Sequence, residues 1–127
     1  MPLTNTDGAF TLFTTGTAIA INIGGQPNHL DFEIHPKSNS DANVEIFAGS
    51  VDAGGYQSAR STYGDSGNEE SVGFPSNTKC IYVRRWNGSA WVTELEATFH
   101  SFYASGFKLN CTTANSNYAI FVKARVD

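Results

Sequence analysis

The constraint that governs this chain is period-two alternation of apolar and polar residues, cut at short intervals by Gly, Pro and Asn. It is plainest at His29-Leu30-Asp31-Phe32-Glu33-Ile34-His35, where Leu30, Phe32 and Ile34 share one face and Asp31 and Glu33 the other. Successive side chains of a strand point to opposite faces, so this run is a half-buried strand of an antiparallel sheet. The pattern returns over residues 118–126, where Tyr118, Ile120, Val122, Ala124 and Val126 fall on one face. Nowhere do apolar residues recur at helical spacing over three turns. A hairpin signal reinforces the reading. Two β-prone runs, 79–86 and 89–95, flank Asn87-Gly88. Both central residues of a type I′ turn need positive φ, which Asn and Gly tolerate best, so a tight turn is predicted there.

Further strands are predicted at 9–14, 17–23, 43–50, 56–63 and 106–110, and the second arm of the hairpin extends toward Tyr103. In 43–50, Val44, Ile46 and Ala48 lie opposite Glu45 and Phe47. Residues 64–71 read as an exposed acidic loop, and residues 1–8 as an amino-terminal arm ahead of one domain spanning 9–127. Eight or nine strands in this length imply two packed sheets, because one open sheet would leave an apolar face wet. The expected fold is an all-β antiparallel sandwich, jelly-roll-like, with a closed barrel as the main alternative.

Composition narrows the function classes. The 127 residues are 40% hydrophobic, enough for a core, but only 16% charged, with a net charge of −4. Clustered Lys and Arg drive affinity for phosphates, so nucleic acid is not an expected partner. Arg84-Arg85 is the only basic doublet, and on a strand its two side chains are expected on opposite faces. The first residues lack the basic and apolar regions of a signal peptide, and no apolar run is long enough to span a membrane. In that setting Cys80 and Cys111 read as buried thiols and not as a disulfide.

No residue set assembles a reactive site. Gly64-Asp65-Ser66-Gly67 copies a serine-protease nucleophile segment, but no histidine stands in a matching context. His29 and His35 are six residues apart on one strand, about 20 Å, too far to share an ion. Asp52, Asp65, Glu69 and Glu70 are loop carboxylates without a calcium-loop spacing. Glu94 and Glu96 share one strand face at a separation a glycosidase would accept, which is equally the look of a solvated strand. The chain is therefore expected to be non-enzymatic and to need no cofactor. The aromatic residues are more suggestive. Trp86 and Trp91 bracket residues 87–90; a four-residue loop would set the indoles face to face, and a two-residue turn would offset them. Trp86, Asn87 and Trp91, with Tyr56 and Tyr63, form the candidate contact surface, and Pro2, Leu3, Thr4 and Asn5 a candidate arm for a neighbouring subunit.

Two stretches carry a family resemblance. Phe13-Thr14-Thr15-Gly16-Thr17, then Ile23-Gly24-Gly25-Gln26-Pro27-Asn28-His29-Leu30-Asp31-Phe32, resembles the opening of small β-rich virion structural proteins of tailed bacteriophages, although Gly25 stands where an aromatic is usual. Ser105-Gly106-Phe107-Lys108-Leu109, followed by 115–124, resembles their closing pattern. The resemblance implies a capsid decoration (cement) protein, a head fibre or a tail-associated module. Its partners would be the major capsid protein or other virion proteins, its location the virion and its state a homotrimer. A chain that opens on Met and reads as one domain fits the capsid better than a long tail fibre. A lectin-like or tail receptor-binding module is the alternative, with a host glycan stacked on Trp86, Trp91, Tyr56 and Tyr63.

Overall fold

Each alternating run becomes a strand, because only a sheet buries every second side chain while pairing its own backbone. The computed structural model describes residues 5–37, 44–64, 71–87 and 89–126. These hold β1 (Asn5–Phe10), β2 (Gly16–Asn22), β3 (His29–Pro36), β4 (Val44–Val51), β5 (Gln57–Gly64), β6 (Ser71–Ser76), β7 (Ile81–Trp86), β8 (Trp91–Tyr103), β9 (Gly106–Thr113) and β10 (Tyr118–Arg125). They pair as a six-stranded sheet, β1-β10-β3-β4-β5-β6, and a four-stranded sheet, β2-β9-β8-β7, antiparallel throughout. The molecule is a β-sandwich. β3 to β6 run as a meander in the larger sheet and β7 to β9 as a meander in the smaller one. The first strand pairs with the last and the second with the ninth, which winds the chain ends around the sandwich in jelly-roll fashion.

This winding sorts the strand ends. Phe10, Pro36, Gly64, Trp86 and Thr113 end their strands at one pole of the sandwich; Asn22, Val51, Ser76 and Tyr103 end theirs at the other. Backbone bonds beyond the strands close both poles. At the first, the Asn115 amide donates to Leu12 O at 3.1 Å, linking the β1–β2 and β9–β10 connections, and at the second the Ile23 amide donates to Ser105 O at 2.8 Å, extending the β2–β9 ladder.

The core lies between the sheets. Leu30, Phe32 and Ile34 of β3 and Tyr118, Ile120, Val122 and Ala124 of β10 are buried, as their alternation predicted. They meet Ile81, Val83, Leu95, Phe107 and Leu109 from the smaller sheet. Each Val, Leu, Ile or Phe among them contributes roughly 1.5–3 kcal/mol by leaving water. Phe10, Phe32 and Phe107 form an edge-to-face triad with ring centroids 5.7–6.3 Å apart, which ties β1, β3 and β9 together. Two glycines let backbones meet more closely than any Cβ permits. A Cβ on Gly49 would lie 1.7 Å from Cys80 O, and one on Gly106 would lie 2.0 Å from Ile21 O. Ala18 adopts φ 53° at a bulge in β2, and the Asn110 side-chain oxygen accepts its amide proton at 2.9 Å.

The structure departs from the sequence reading in several places. β1 begins at Asn5, so residues 5–8 of the expected arm pair with β10 of their own chain. Pro2, Leu3 and Thr4 lie outside the described residues, as do Asp65, Ser66, Gly67, Glu69 and Glu70. β6 is an additional strand. Gly73 and Pro75 hide it in the sequence, but a sheet edge tolerates a residue without an amide proton. In β4 it is Phe47 and Val51 that turn inward, while Ile46 is 57% exposed. Cys80 and Cys111 are buried free thiols on opposite sides of β8: Ala97 of β8 faces Ile81, next to Cys80, across one edge and Cys111 across the other. Burial pushes the Cys80 thiol up to about 12 and raises Cys111 as well.

Candidate contact surface

The β7–β8 hairpin resolves the geometry of the two tryptophans. Trp86 and Trp91 are directly cross-strand partners, so the connection has four residues and the indoles meet, centroids 5.6 Å apart at 61°. The predicted tight turn does not form. The Asn87 side-chain oxygen accepts from the amides of Ser89 (2.8 Å) and Ala90 (2.9 Å), and the Asn87 amide donates to Ala90 O (3.1 Å). Asn87 thus works as a side-chain cap of the loop and not as a positive-φ turn residue.

Trp91 is the hub of a larger cluster. Its ring meets Tyr63 of β5 edge-on at 5.9 Å and Phe74 of β6 at 5.0 Å. The Arg84 guanidinium lies 4.7 Å from the Phe74 ring centre, and that of Arg85 lies 5.3 Å from Tyr63. Both members of the doublet nevertheless reach this one cluster. β7 is an edge strand with a bulge between it and β8 at Val83/Arg84, and both side chains are long. Arg84 also donates to Trp91 O at 3.2 Å, and its amide donates to the buried Ser61 hydroxyl at 2.8 Å. Trp91 is therefore held by ring contacts on three sides. Trp86 has one ring partner, stays partly exposed and stands next to exposed Asn87.

Below the cluster, the Tyr118 hydroxyl donates to Glu94 Oε2 at 2.5 Å, and Arg85 lies 3.8 Å from the same oxygen. Burial raises the Tyr118 phenol well above its usual range, and the hydrogen bond to Glu94 and its charge act in the same direction. Glu96 has separate partners, Lys79 at 3.5 Å and the Thr112 hydroxyl at 2.6 Å. The two carboxylates considered as a catalytic pair are each tied into a different local network.

Tyr63 and Tyr56 divide. Tyr63 is 3% exposed and is the floor under Trp91. Tyr56 is 79% exposed and sits in the β4–β5 turn at the far pole, where Asp52 Oδ1 accepts its amide proton at 3.0 Å. Seven residues of strand, about 23 Å, separate the two, so Tyr56 is not part of this surface. Asp52, one of the proposed chelating carboxylates, caps that turn. Phe74, Arg84 and Arg85 were not foreseen as members of the site, since no local pattern announces that β6 and β7 bring them together. Among the described residues no group of three or more His, Cys, Asp or Glu is arranged to hold a metal ion. Comparison with protein-family models, with curated proteins and with solved structures finds no match to this chain.

Proposed function

We propose that this protein is a non-catalytic structural component of a bacteriophage particle that acts through protein–protein contact at the β7–β8 pole. One observation carries the contact surface: Trp86 is presented at a hairpin tip while Trp91, Tyr63, Phe74 and the two arginines brace the hairpin from below. An aromatic side chain that is rigid before binding loses little conformational freedom on association, and such anchors dominate interface energies. The particle context rests on the resemblance of 13–32 and 105–124 to phage virion proteins, and the capsid surface is its preferred position. A surface sparse in charge, 16% of residues, presents few ions to strip of water when it meets a shell. Many such contacts across neighbouring subunits stabilise an assembled shell by mass action.

The test is direct. Particles made from the genome that encodes the chain are purified and probed with antibody against it by gold labelling and mass spectrometry. Labelling over the capsid supports the proposal, and particles devoid of the chain overturn it. A second reading is favoured by the same indole, because a partly exposed Trp beside an exposed Asn suits a sugar ring. Glycan-array binding that is lost in Trp86→Ala, with particles unlabelled, selects that reading.

A further inference from the structure

Of the four sheet edges, the two on one side of the sandwich, β1 and β2, have no further strand paired to them among the described residues. On the other side, β7 has its Arg84 amide and carbonyl engaged by the Ser61 hydroxyl of β5, at 2.8 and 3.4 Å. β6, the neighbouring edge, carries Pro75, which has no amide proton to offer. β1 and β2 have neither protection. They adjoin each other: a Cβ on Gly8 of β1 would lie 3.8 Å from Ile23, the residue that follows β2. Between Asp7 and Asp31 the sequence contains no Asp, Glu, Lys or Arg, so β2 carries no charge at all. Monomeric proteins blunt free edges with charge, proline or a cover. β1 carries one charge, Asp7, while among the described residues the only such device on β2 is the bulge between Gly16 and Ile19, which leaves the run from Ile19 to Asn22 in regular register with β9.

The direction of the free groups follows from the ladder. Ile21 O faces Gly106 of β9, and the Ile23 amide donates to Ser105 O. By alternation, the amides and carbonyls of Ala20 and Asn22 point away from β9. We infer that two copies of this chain pair edge to edge at β1 and β2 about a two-fold axis normal to the sheets. Such an axis maps each layer onto itself with strands antiparallel. It sets Ala20 opposite Asn22 of the second copy, and it offers β1 the β1 of that copy in the other layer. One axis thus serves both open edges, whereas a single foreign strand would serve only one. A ring of three would have to join this side to the β6–β7 side, which Pro75 and Ser61 close. The interface is therefore isologous, and a dimer replaces the trimer that the family resemblance implies.

The experiment is light scattering of the full chain after size exclusion, on wild type and on Ala20→Pro and Ala20→Lys, with circular dichroism to verify the fold. Ala20 is exposed and its amide points outward, so neither change disturbs pairing with β9. The expected result is a wild-type mass of twice 13.7 kDa, halved in both folded variants. A wild-type monomer or trimer overturns the inference, and so does a dimer that both folded variants retain. If Ala20→Pro alone fails to fold, Ala20→Lys decides.

Discussion

Replacing Trp86 and Trp91 by alanine, one at a time, separates the two roles assigned to them. The residues look equivalent in sequence, but their surroundings differ. Trp91 has three ring contacts, with Trp86, Tyr63 and Phe74, and its backbone carbonyl accepts from Arg84. At ~0.5–1.5 kcal/mol per aromatic pair, these contacts amount to about 3 kcal/mol. That sits at the lower end of the ~3–5 kcal/mol range for Trp→Ala in a core, as suits a partly buried ring. Trp86 forfeits one pair, about 1 kcal/mol. For 127 residues the unfolding entropy near the melting temperature is roughly 0.27 kcal/mol/K, so Trp91→Ala lowers Tm by roughly 10 °C and Trp86→Ala by roughly 4 °C. Thermal melts followed by far-UV circular dichroism read both shifts. Binding to particles should show the opposite order, with Trp86→Ala abolishing it while the fold persists. Equal losses of stability, or a larger loss for Trp86→Ala, would refute the division into brace and contact.

Other consequences are equally open to measurement. Gly49→Ala places a Cβ against Cys80 O and should cost more than about 3 kcal/mol or abolish folding, as read by urea denaturation, because neither backbone has room to yield. Cys80 and Cys111 should resist a thiol reagent in the native protein and react fully in denaturant; rapid native labelling of either would contradict their burial. The folded pKa of Cys80, about 12, lies above its ordinary value of 9.0, so its stabilising effect is complete below about pH 9 and is lost as pH rises toward 12. Stability should therefore fall through that window, and less steeply in Cys80→Ala. Tyr118→Phe removes the hydrogen bond to Glu94 and should cost about 1 kcal/mol, since Arg85 and water still serve the carboxylate; alkaline absorbance titration should lose its latest-ionising tyrosine.

What could be read in the sequence was whatever is local. Leu30-Phe32-Ile34 and Tyr118-Ile120-Val122-Ala124 announced their buried sides through alternation alone; they lie side by side on one face of the larger sheet, and such an apolar face requires a second layer to cover it. The Trp86–Trp91 pair was legible for the same reason, as both residues belong to one hairpin. β6 was not, because Gly73 and Pro75 are strand breakers everywhere except at an edge, and edge position is a property of the whole sheet. Alternation also fails to say which face is inside when both carry apolar residues, as with Ile46 and Phe47. Tyr56 and Tyr63 share their chemistry, yet the length of β5 sets Tyr56, in the turn before it, and Tyr63, near its end, at opposite poles. Phe74 reaches Trp91, and Ser61 reaches Arg84, only through the packing of one sheet's edge on the other.

Oxidative footprinting of the chain, free and bound to purified particles, reads the contact most directly, because tryptophan is a reactive probe and the two indoles are the protein's only ones. The account requires Trp86 to be oxidised in the free protein and protected on the particle, with exposed Tyr56 at the far pole unchanged. Protection of Tyr56 with Trp86 still open to oxidation would show that the chain meets its partner through the wrong end.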